Sequence, residues 1–528
     1  MRVKQKPIAA TAAHAATATI SPGLRRYLYF TSAITGGCIL IVQILGAKML
    51  APYLGTSHFV WTAQIAVTLL ALACGYYVGG LLVDRSLRLG RIYSAIIAAA
   101  LYLTLTVAAR EPVAYACLQA NLAVGALLSS MILFFLPLAL LAMVGPFFIR
   151  VLTVHISGVG GNVGRLNSIS TLGSFIGTAL IGYVLIPYLP NSITMYLTSL
   201  LLLAVSGIYF MVWGRASRSI VGPAVAIVLG VVIGALALRT DKWPGRQTVE
   251  LFRGNSDFGL LQVIQVKDSP RRYYLNDYLT QNTYDTNSRQ SVSMFTHMLH
   301  GLARAYAPQV DDVLCIGLGV GIVPMQFARE GSRVDVVEIN PAVVPIGEKF
   351  FDLEPARLNI TIGDGRYFVN ESKKQYDAIV LDAFLGDSCP SHLMTREAFT
   401  AIRKTLKPTG VLVINTFGDF EPGDDFFTAS LHKTLTNVFA GVRIHAGESG
   451  NTLFVAGHQA DLRILHPPDY SKVYPPLAGQ VKSAFESLRE TDPASGRVLT
   501  DDFNPVEFHD AGNRERLRRD LAQDVRRL

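Results

Sequence analysis

Long apolar segments dominate the first half of the chain and restrict its fold more than any other feature. Seven stretches of roughly 20 mostly apolar residues, the length a helix needs to cross the hydrocarbon core of a bilayer, occur before residue 240. The sequence therefore predicts a multi-pass α-helical membrane domain over residues 25–240, in contact with the lipid bilayer, after a disordered leader over residues 1–24. The predicted spans are approximately Tyr27–Ala47, Trp61–Val83, Ile92–Ala109, Ala123–Phe148, Ile169–Leu189, Thr194–Val212 and Val221–Leu238.

The charges are divided unevenly along the chain. Residues 1–240 contain 15 Lys and Arg but only Asp84 and Glu111, whereas the remainder contains 32 basic and 37 acidic residues. Because the positive excess lies between apolar segments, it indicates membrane topology, and no nucleic-acid partner is expected. The N-terminal segment and the second, fourth and sixth loops carry most of these residues, whereas the opposite side shows only Lys48 and Arg110. We expect a protein of the cell membrane with a cytoplasmic N-terminus.

After Trp243 the composition becomes that of a soluble protein. Residues 246–290 predict a small β-subdomain, and residues 291–460 alternate apolar strand runs with helical segments, which is typical of a parallel sheet with crossover helices. The predicted fold is therefore a helical membrane domain followed by an α/β, Rossmann-like, methyltransferase-type doubly wound domain with a small β-subdomain before it. Residues 461–528 are predicted to be a tail that ends in a basic helix.

A glycine-rich turn follows the first predicted strand of the α/β domain. Gly317, Gly319 and Gly321 allow a tight turn and close approach to a ligand at the positive end of a helix. The next strand ends in Glu338, about 20 residues further on, where a carboxylate can accept hydrogen bonds from both ribose hydroxyls. This spacing predicts a nucleoside site.

The third and fourth strands also end in acidic residues. Asp364 and Gly365 follow the third strand, and Asp382 follows the fourth. Because the carboxyl ends of parallel strands share one crevice, these side chains are expected to meet there. His392, after Pro390, could reach a ligand in the same crevice. Neither a zinc site nor a disulfide framework is expected, because no pattern of four Cys and His ligands occurs.

The stretch Asp312–Phe417 resembles the spermidine synthase (polyamine aminopropyltransferase) family. The similarity lies in DVLCIGLGVG, VDVVEINPAVV, IGDGRYF, YDAIVLDAF and LKPTGVLVINTF, and the preceding YYLNDYLTQNTYD resembles that family's short β-domain. Together with the membrane region, GYYVGGLLVDR, LDAFLGDSCPSHLMTREAF and LTDDFNPVE are similar to membrane-bound spermidine synthase-like proteins.

The resemblance implies roles for particular residues. Glu338 would bind the ribose of decarboxylated S-adenosylmethionine or methylthioadenosine, Asp364 and Gly365 would hold the adenine, and Gln281 would lie beside the nucleoside or the amine. Asp382 would be the general base for attack by putrescine or another amine. No metal is required, and the resemblance also implies a homodimer.

Three positions depart from the family pattern on the amine side. Val320 and Thr296 replace two expected carboxylates, and Leu385 replaces the second Asp after the fourth strand, although Asp387 could substitute for it. Two alternatives therefore stay open. One is a methyltransferase that uses S-adenosylmethionine, or a transferase with an uncharged or lipid-adjacent amine as acceptor. The other is a non-enzymatic transporter or sensor, supported by the likeness of GGLLVDRSLRLGR to a loop of major-facilitator transporters.

The side of the membrane that carries the α/β domain is not determined by the sequence. Seven spans with a cytoplasmic N-terminus would place this domain outside, yet decarboxylated S-adenosylmethionine and polyamines are made in the cytosol. Either one apolar stretch does not span, or the domain uses an exported substrate.

Overall fold

Apolar helices fill the described part of the first 240 residues in the computed structural model of the protein. The structure describes residues 20–55, 58–119, 122–153, 159–214, 221–240, 247–384, 389–447 and 450–518. The helices of this helical domain are α1 (Pro22–Leu54), α2 (His58–Arg85), α3 (Leu89–Cys117), α4 (Leu122–Ser130), α5 (Leu136–Ala142), α6 (Val144–Leu152), α7 (Val159–Leu180), α8 (Ile186–Tyr188), α9 (Asn191–Val212) and α10 (Val221–Thr240). Short π-helical turns, Met131–Phe135 and Ile181–Leu185, join α4 to α5 and α7 to α8.

Among the described residues, six helices are long and apolar enough to cross a membrane. The seventh predicted span corresponds to α10, whose apolar stretch in the described residues is Ala224–Ala235 and is shorter than the others. The predicted stretch Val221–Leu238 lies within α10, so the described residues contain an apolar helical segment at each of the seven predicted positions, six of them long and one shorter. The six are Pro22–Leu54, His58–Arg85, Leu89–Cys117, Leu122–Leu152, Val159–Tyr188 and Asn191–Val212.

Glycines allow α1 and α7 to pack with their backbones in contact. A Cβ atom on Gly173 would lie 2.0 Å from the carbonyl oxygen of Ala33, and one on Gly177 would lie 2.6 Å from that of Gly37. Small residues at such crossings are the usual means of close helix packing in membranes, where no hydrophobic effect drives association. Gly173 contacts Ala33 and, one turn later in both helices, Gly177 contacts Gly37, so α1 and α7 run in parallel.

Two sheets follow the helical domain. The β-subdomain has antiparallel strands in chain order, and the α/β domain has eight strands with helices on both faces. The strands of the β-subdomain are β1 (Thr248–Ser256), β2 (Gly259–Val266), β3 (Arg271–Asn276), β4 (Leu279–Asp285) and β5 (Gln290–Ser291). The strands of the α/β domain are β6 (Asp312–Ile316), β7 (Arg333–Glu338), β8 (Asn359–Ile362), β9 (Tyr376–Leu381), β10 (Leu406–Phe417), β11 (Gly441–Ala446), β12 (Asn451–Gly457) and β13 (Leu488–Arg489). Its helices are α11 (Met294–Tyr306), α12 (Ile322–Arg329), α13 (Val343–Phe350), α14 (Gly365–Glu371), α15 (Arg396–Thr405), α16 (Phe426–Val438), α17 (Ala478–Glu486) and α18 (Val506–His509).

The large sheet has a Rossmann-like, methyltransferase-type topology. Its order is β13-β11-β12-β10-β9-β6-β7-β8, with β6 to β10 parallel and β11 to β13 antiparallel. The direction of winding changes at β6, between β7 and β9, and ligands of open α/β sheets bind at the carboxyl end of such a switch point. Separate hydrophobic cores lie on the two faces of the sheet, so all of its central strands are buried.

The segment predicted as a tail packs against both domains. Phe485 in α17 is 3% exposed within one of the sheet's cores, and β13 pairs with β11 at the edge of the sheet. Residues 511–518 are helical, and Arg518 donates a hydrogen bond to the carbonyl oxygen of Ala51 in α1. The rest of the predicted basic helix, residues 519–528, lies outside the described residues.

Candidate active site

The glycine-rich turn after β6 requires glycine for steric reasons. Gly317, Gly319 and Gly321 all have positive φ angles, of 98°, 56° and 88°. A Cβ atom on Gly317 would lie 2.2 Å from the carbonyl oxygen of Asp382, and Gly321 precedes the first residue of α12. The turn therefore lies against the end of β9 and opens toward the carboxyl edge of the sheet.

Glu338, the last residue of β7, is held by two backbone donors. The N–H groups of Leu318 and Asn340 each donate to one of its carboxylate oxygens at 2.8 Å. Burial raises the pKa of Glu338, and these two hydrogen bonds oppose the rise. Each oxygen keeps a further lone pair, so the carboxylate is fixed in position and able to accept from hydroxyls of a ligand.

Asp364 lies at the start of α14 and uses both of its oxygens. One accepts from the Tyr367 N–H at 2.9 Å and caps the helix, and the other lies 2.9 Å from Nε2 of His392. Burial tends to raise the pKa of Asp364, but the hydrogen bonds from Tyr367 and His392 outweigh it and lower the pKa overall. Gly365 has no room for a side chain, since a Cβ would lie 2.5 Å from Cγ2 of Ile316.

Asp382 directly follows β9 and is half-buried between the glycine turn and β10. Nδ2 of Asn415 donates to its carboxylate at 2.9 Å, and Nδ2 of Asn451 donates to Oδ1 of Asn415 at 3.0 Å. Burial raises the pKa of Asp382 to about 6, although the Asn415 hydrogen bond lowers it in part. A carboxylate with this pKa is ionised at neutral pH and close enough to that range to accept a proton efficiently.

These carboxylates share one cavity of 380 Å³ at the carboxyl edge of the sheet. Gly317, Gly319, Glu338, Asp364, Gly365 and Asp382 all line it, together with Gln281 and His392. Gly321 is not in its wall and instead directly precedes α12. Asp387 and Leu385 lie outside the described residues. Val320 and Thr296 are each 1% exposed and do not line the cavity.

Several cavity residues were not found from the sequence. Asn415 directly follows the apolar run Val411–Ile414 of β10, in the same way as the acidic residues follow their strands, and that pattern was a usable signal. Asn276 is 7% exposed in the cavity wall, and its Oδ1 has no hydrogen-bond partner among the described residues. Leu517, from the helical segment 511–518, also reaches the cavity, and no local pattern indicates this.

The described residues contain no group of three or more His, Cys, Asp or Glu side chains that could hold a metal ion. The cavity instead offers backbone N–H groups, three carboxylates and apolar walls that include Phe258, Phe295 and Leu477. This combination fits a nucleoside with an apolar or cationic extension.

Comparison with known proteins matches the same part of the chain. Residues 293–444 match the family described as spermine/spermidine synthase domain. A polyamine aminopropyltransferase of Vibrio vulnificus is 30% identical over 214 residues, which cover 38% of this chain and 70% of that protein. Putrescine N-methyltransferase 2 of Nicotiana attenuata is 30% identical over 183 residues, covering 32% of this chain and 48% of that protein. The crystal structure of spermidine synthase from Thermotoga maritima has a TM-score of 0.37 and 20% identity, covering 45% of this chain and 84% of that one.

Proposed function

Because the chain belongs to the spermidine synthase (polyamine aminopropyltransferase) family, we propose that it is a membrane-bound aminopropyltransferase. It transfers the aminopropyl group of decarboxylated S-adenosylmethionine to putrescine or another amine and releases methylthioadenosine. The observation that carries the proposal is Asp382, a carboxylate with a pKa raised to about 6 that lines one cavity with the glycine turn and Glu338.

The nucleoside half of the cavity accounts for one substrate. Glu338 accepts hydrogen bonds from the ribose hydroxyls, and the glycine turn lets the nucleoside approach the backbone closely. Asp364 and Gly365 border the adenine, with His392 beside them. The displacement itself needs no metal, because its leaving group is a neutral thioether.

The chemical step is a displacement at carbon. The amine nitrogen attacks the propyl carbon next to the sulfonium, the new C–N bond forms, and the C–S bond breaks with its electron pair moving to sulfur. The nitrogen must lose a proton to become nucleophilic, and Asp382 takes it. Asn415 keeps the carboxylate pointed at the cavity, and Asn451 fixes Asn415 in turn.

Methyl transfer from S-adenosylmethionine is the second candidate function. Only three carboxylates line the cavity among the described residues, and Glu338 and Asp364 already hold backbone or His392 partners. Val320 and Thr296 supply no charge for a cationic aminopropyl group. Similarity to a putrescine N-methyltransferase supports the same alternative.

The two candidates give different products. The purified full chain in lipid nanodiscs is incubated with putrescine and either decarboxylated or intact S-adenosylmethionine, and the products are identified by mass spectrometry. Methylthioadenosine and an aminopropylated amine are the expected products. S-adenosylhomocysteine and a methylated amine would instead establish the second candidate.

A matched pair of variants assigns the turnover to the cavity. We expect Asp382→Asn to reduce turnover by about 10²–10⁴-fold, as for loss of a general base. Asp461→Asn is the control, because Asp461 is 78% exposed and away from the cavity. Turnover that survives Asp382→Asn would exclude this residue as the base.

A further inference from the structure

The α/β domain and the C-terminal segment contact one end of the helical bundle. Nη1 of Arg518 donates to the carbonyl oxygen of Ala51 at 2.7 Å, in the last turn of α1. Nδ2 of Asn255, near the end of β1, donates to the carbonyl oxygen of Leu189 at 2.6 Å, just after α8. We name this end, formed by the end of α1, the start of α2 and the α8–α9 connection, the docking end.

Aromatic contacts extend the same attachment to α2. The ring centroids of Phe59, in the first turn of α2, and Phe508, in α18, are 6.0 Å apart. The end of α3 also lies at the docking end, because Tyr115 packs edge-on against Tyr53 of α1 with centroids 5.4 Å apart. These contacts involve the three separate helices α1, α2 and α3, so the docking end is an end of the whole bundle.

The directions of the helices show that each of the six long helical segments, α1, α2, α3, α4–α6, α7–α8 and α9, connects the docking end to an opposite, far end. Thr31 near the start of α1 lies 3.0 Å from Tyr93 near the start of α3, so these helices run in parallel. Tyr209 near the end of α9 stacks on Tyr93 at 3.8 Å, so α9 runs the other way and ends at the far end. The chain must return to the docking end before β1 begins.

Helix α10 makes this return. It contains 20 residues, about 30 Å at 1.5 Å per residue, which matches the hydrocarbon core of a bilayer. Gly230 in its middle lies against Leu101 of α3 and Leu203 of α9, and Gly234 lies near Tyr196 at the docking end of α9. Helix α10 as a whole therefore runs the length of the bundle as the long helical segments do, and the number of crossings is odd.

The basic residues mark the far end. The described residues Arg25, Arg26, Arg85, Arg88, Arg91, Arg150 and Arg165 lie in or next to the helix turns at the far end, whereas Lys48, Arg110 and Arg239 lie toward the docking end. In the sequence, Arg2, Lys4 and Lys6 precede α1, and Arg215 and Arg218 lie between α9 and α10. Short loops rich in Lys and Arg remain on the cytoplasmic side of a membrane. The basic far end and the docked α/β domain are thus on opposite sides of the bundle.

We propose that the helices span a membrane with the far end in the cytoplasm, and that the α/β domain with its cavity lies on the extracytoplasmic side. The site then works on substrates present on that side. A charged nucleoside does not cross a hydrocarbon core unaided, so a transport step must deliver a sulfonium nucleoside to this site before the reaction.

Cysteine labelling of the full chain tests this topology. In spheroplasts of an expressing bacterium, Arg463→Cys reports on the α/β domain, where Arg463 is 73% exposed, and Leu87→Cys reports on the far end, where Leu87 is 56% exposed. Unsubstituted protein gives the background from the five native cysteines. We expect a membrane-impermeant maleimide to label Arg463→Cys in intact spheroplasts and Leu87→Cys only after permeabilisation.

Either reversal overturns the proposal: Arg463→Cys that labels only after permeabilisation, or Leu87→Cys that labels before it. A phosphatase fused after Leu528 that is active only outside the cytoplasm provides a second readout and requires no substitution. High phosphatase activity supports the extracytoplasmic site, and an inactive phosphatase at normal expression overturns it. Neither readout depends on the reaction that the cavity performs.

Discussion

The proton affinity of Asp382 is set by two opposing contributions. Burial raises its pKa to about 6, and the hydrogen bond from Asn415 lowers it. A general base must be ionised to act, so we expect kcat/KM to rise with pH through about 6 and then to level. Asn415→Ala removes the donor that favours the charged form, and the rising limb then moves to higher pH.

The measurement is kcat/KM between pH 5 and 9 for the two proteins. In the variant we expect the rising part of the kcat/KM profile to move to higher pH, while the plateau value of kcat/KM at high pH changes less. A variant with the same limb and a lower plateau would show that Asn415 contacts substrate without tuning Asp382. A limb that moves to lower pH would contradict the argument.

At the residue scale, the sequence predicts those cavity residues that lie at the carboxyl end of a strand. Glu338, Asp364 and Asp382 each follow an apolar run, so their convergence follows from parallel strands alone. Nε2 of His392 lies 2.9 Å from a carboxylate oxygen of Asp364, a hydrogen bond that no local sequence pattern indicates. Likewise, Oδ1 of Asn276 is buried without a hydrogen-bond partner among the described residues because of the way the β-subdomain packs, and a sequence pattern does not predict such tertiary packing.

At the scale of elements, the turn after β6 provides a sharp test of the nucleoside site. Gly317 and Gly331 both have positive φ, 98° and 94°, but a Cβ on Gly317 meets the carbonyl oxygen of Asp382 at 2.2 Å whereas one on Gly331 meets nothing within 4 Å. Both Ala variants bear about 1–2 kcal/mol of backbone strain. Only Gly317→Ala also forces the turn away from β9.

We expect Gly331→Ala to bind methylthioadenosine normally with a slightly lower melting temperature, and Gly317→Ala to lose binding. Calorimetric titration of the two full-length variants measures their affinity for methylthioadenosine, and thermal melts measure their melting temperatures. Equal affinities in the two variants would show that the turn does not contact the nucleoside.

The irregular C-terminal segment of residues 499–505 supports the loop that carries His392. Asp501 accepts from both Arg366 nitrogens at 2.8 and 3.2 Å, and Arg366 also donates to the carbonyl oxygen of His392 at 2.8 Å. The hydrogen bond from Arg366 is the main cause of the lowered pKa of Asp501, so the contact is formed at neutral pH and lost in acid.

We expect Asp501→Ala to raise the KM for the nucleoside about five-fold with little change in kcat, because a half-exposed pair contributes about 1 kcal/mol. Asp502→Ala, at the exposed neighbouring position, is the control. Steady-state kinetics at saturating amine separates the two constants. A fall in kcat at constant KM would show that the segment acts on the chemical step.

The parallel strands are the elements that sequence reasoning predicts best. The observed β6, β7, β8 and β9 begin and end within two residues of the apolar runs that predict them, because β-branched residues and flanking turns mark both boundaries. These runs in the sequence are Asp312–Ile316, Val334–Ile339, Leu358–Ile362 and Ala378–Leu381. The antiparallel strands β11 and β12 were missed. They pair with each other between β13 and β10, and short apolar runs of this kind do not distinguish strand from helix.

At the scale of the whole molecule, the helical domain and the α/β domain have separate hydrophobic cores, and their described contacts are confined to the docking end. Sequence composition alone separates these regions near residue 240. The way they are joined could not be predicted, since Arg518 contacts Ala51 from the opposite end of the chain. Leu517 lines the cavity next to this contact, so the cavity edge is close to the docking end. The homodimer that the family resemblance implies stays a prediction.

Separate cores predict that a nucleoside stabilises one domain more than the other. At a concentration of 100 times Kd, methylthioadenosine should stabilise the α/β domain by about 2.7 kcal/mol, since it binds only the folded form. Amide hydrogen exchange of β6 and β9 should then slow by about 100-fold, whereas exchange in α1 and α3 should stay nearly constant. Mass spectrometry of the full chain in nanodiscs measures both regions in one experiment, with Gly317→Ala as the variant in which the gain disappears. Equal slowing in the two regions would show that the docking end joins them into one cooperative unit, so that binding in the cavity stabilises the membrane helices as well.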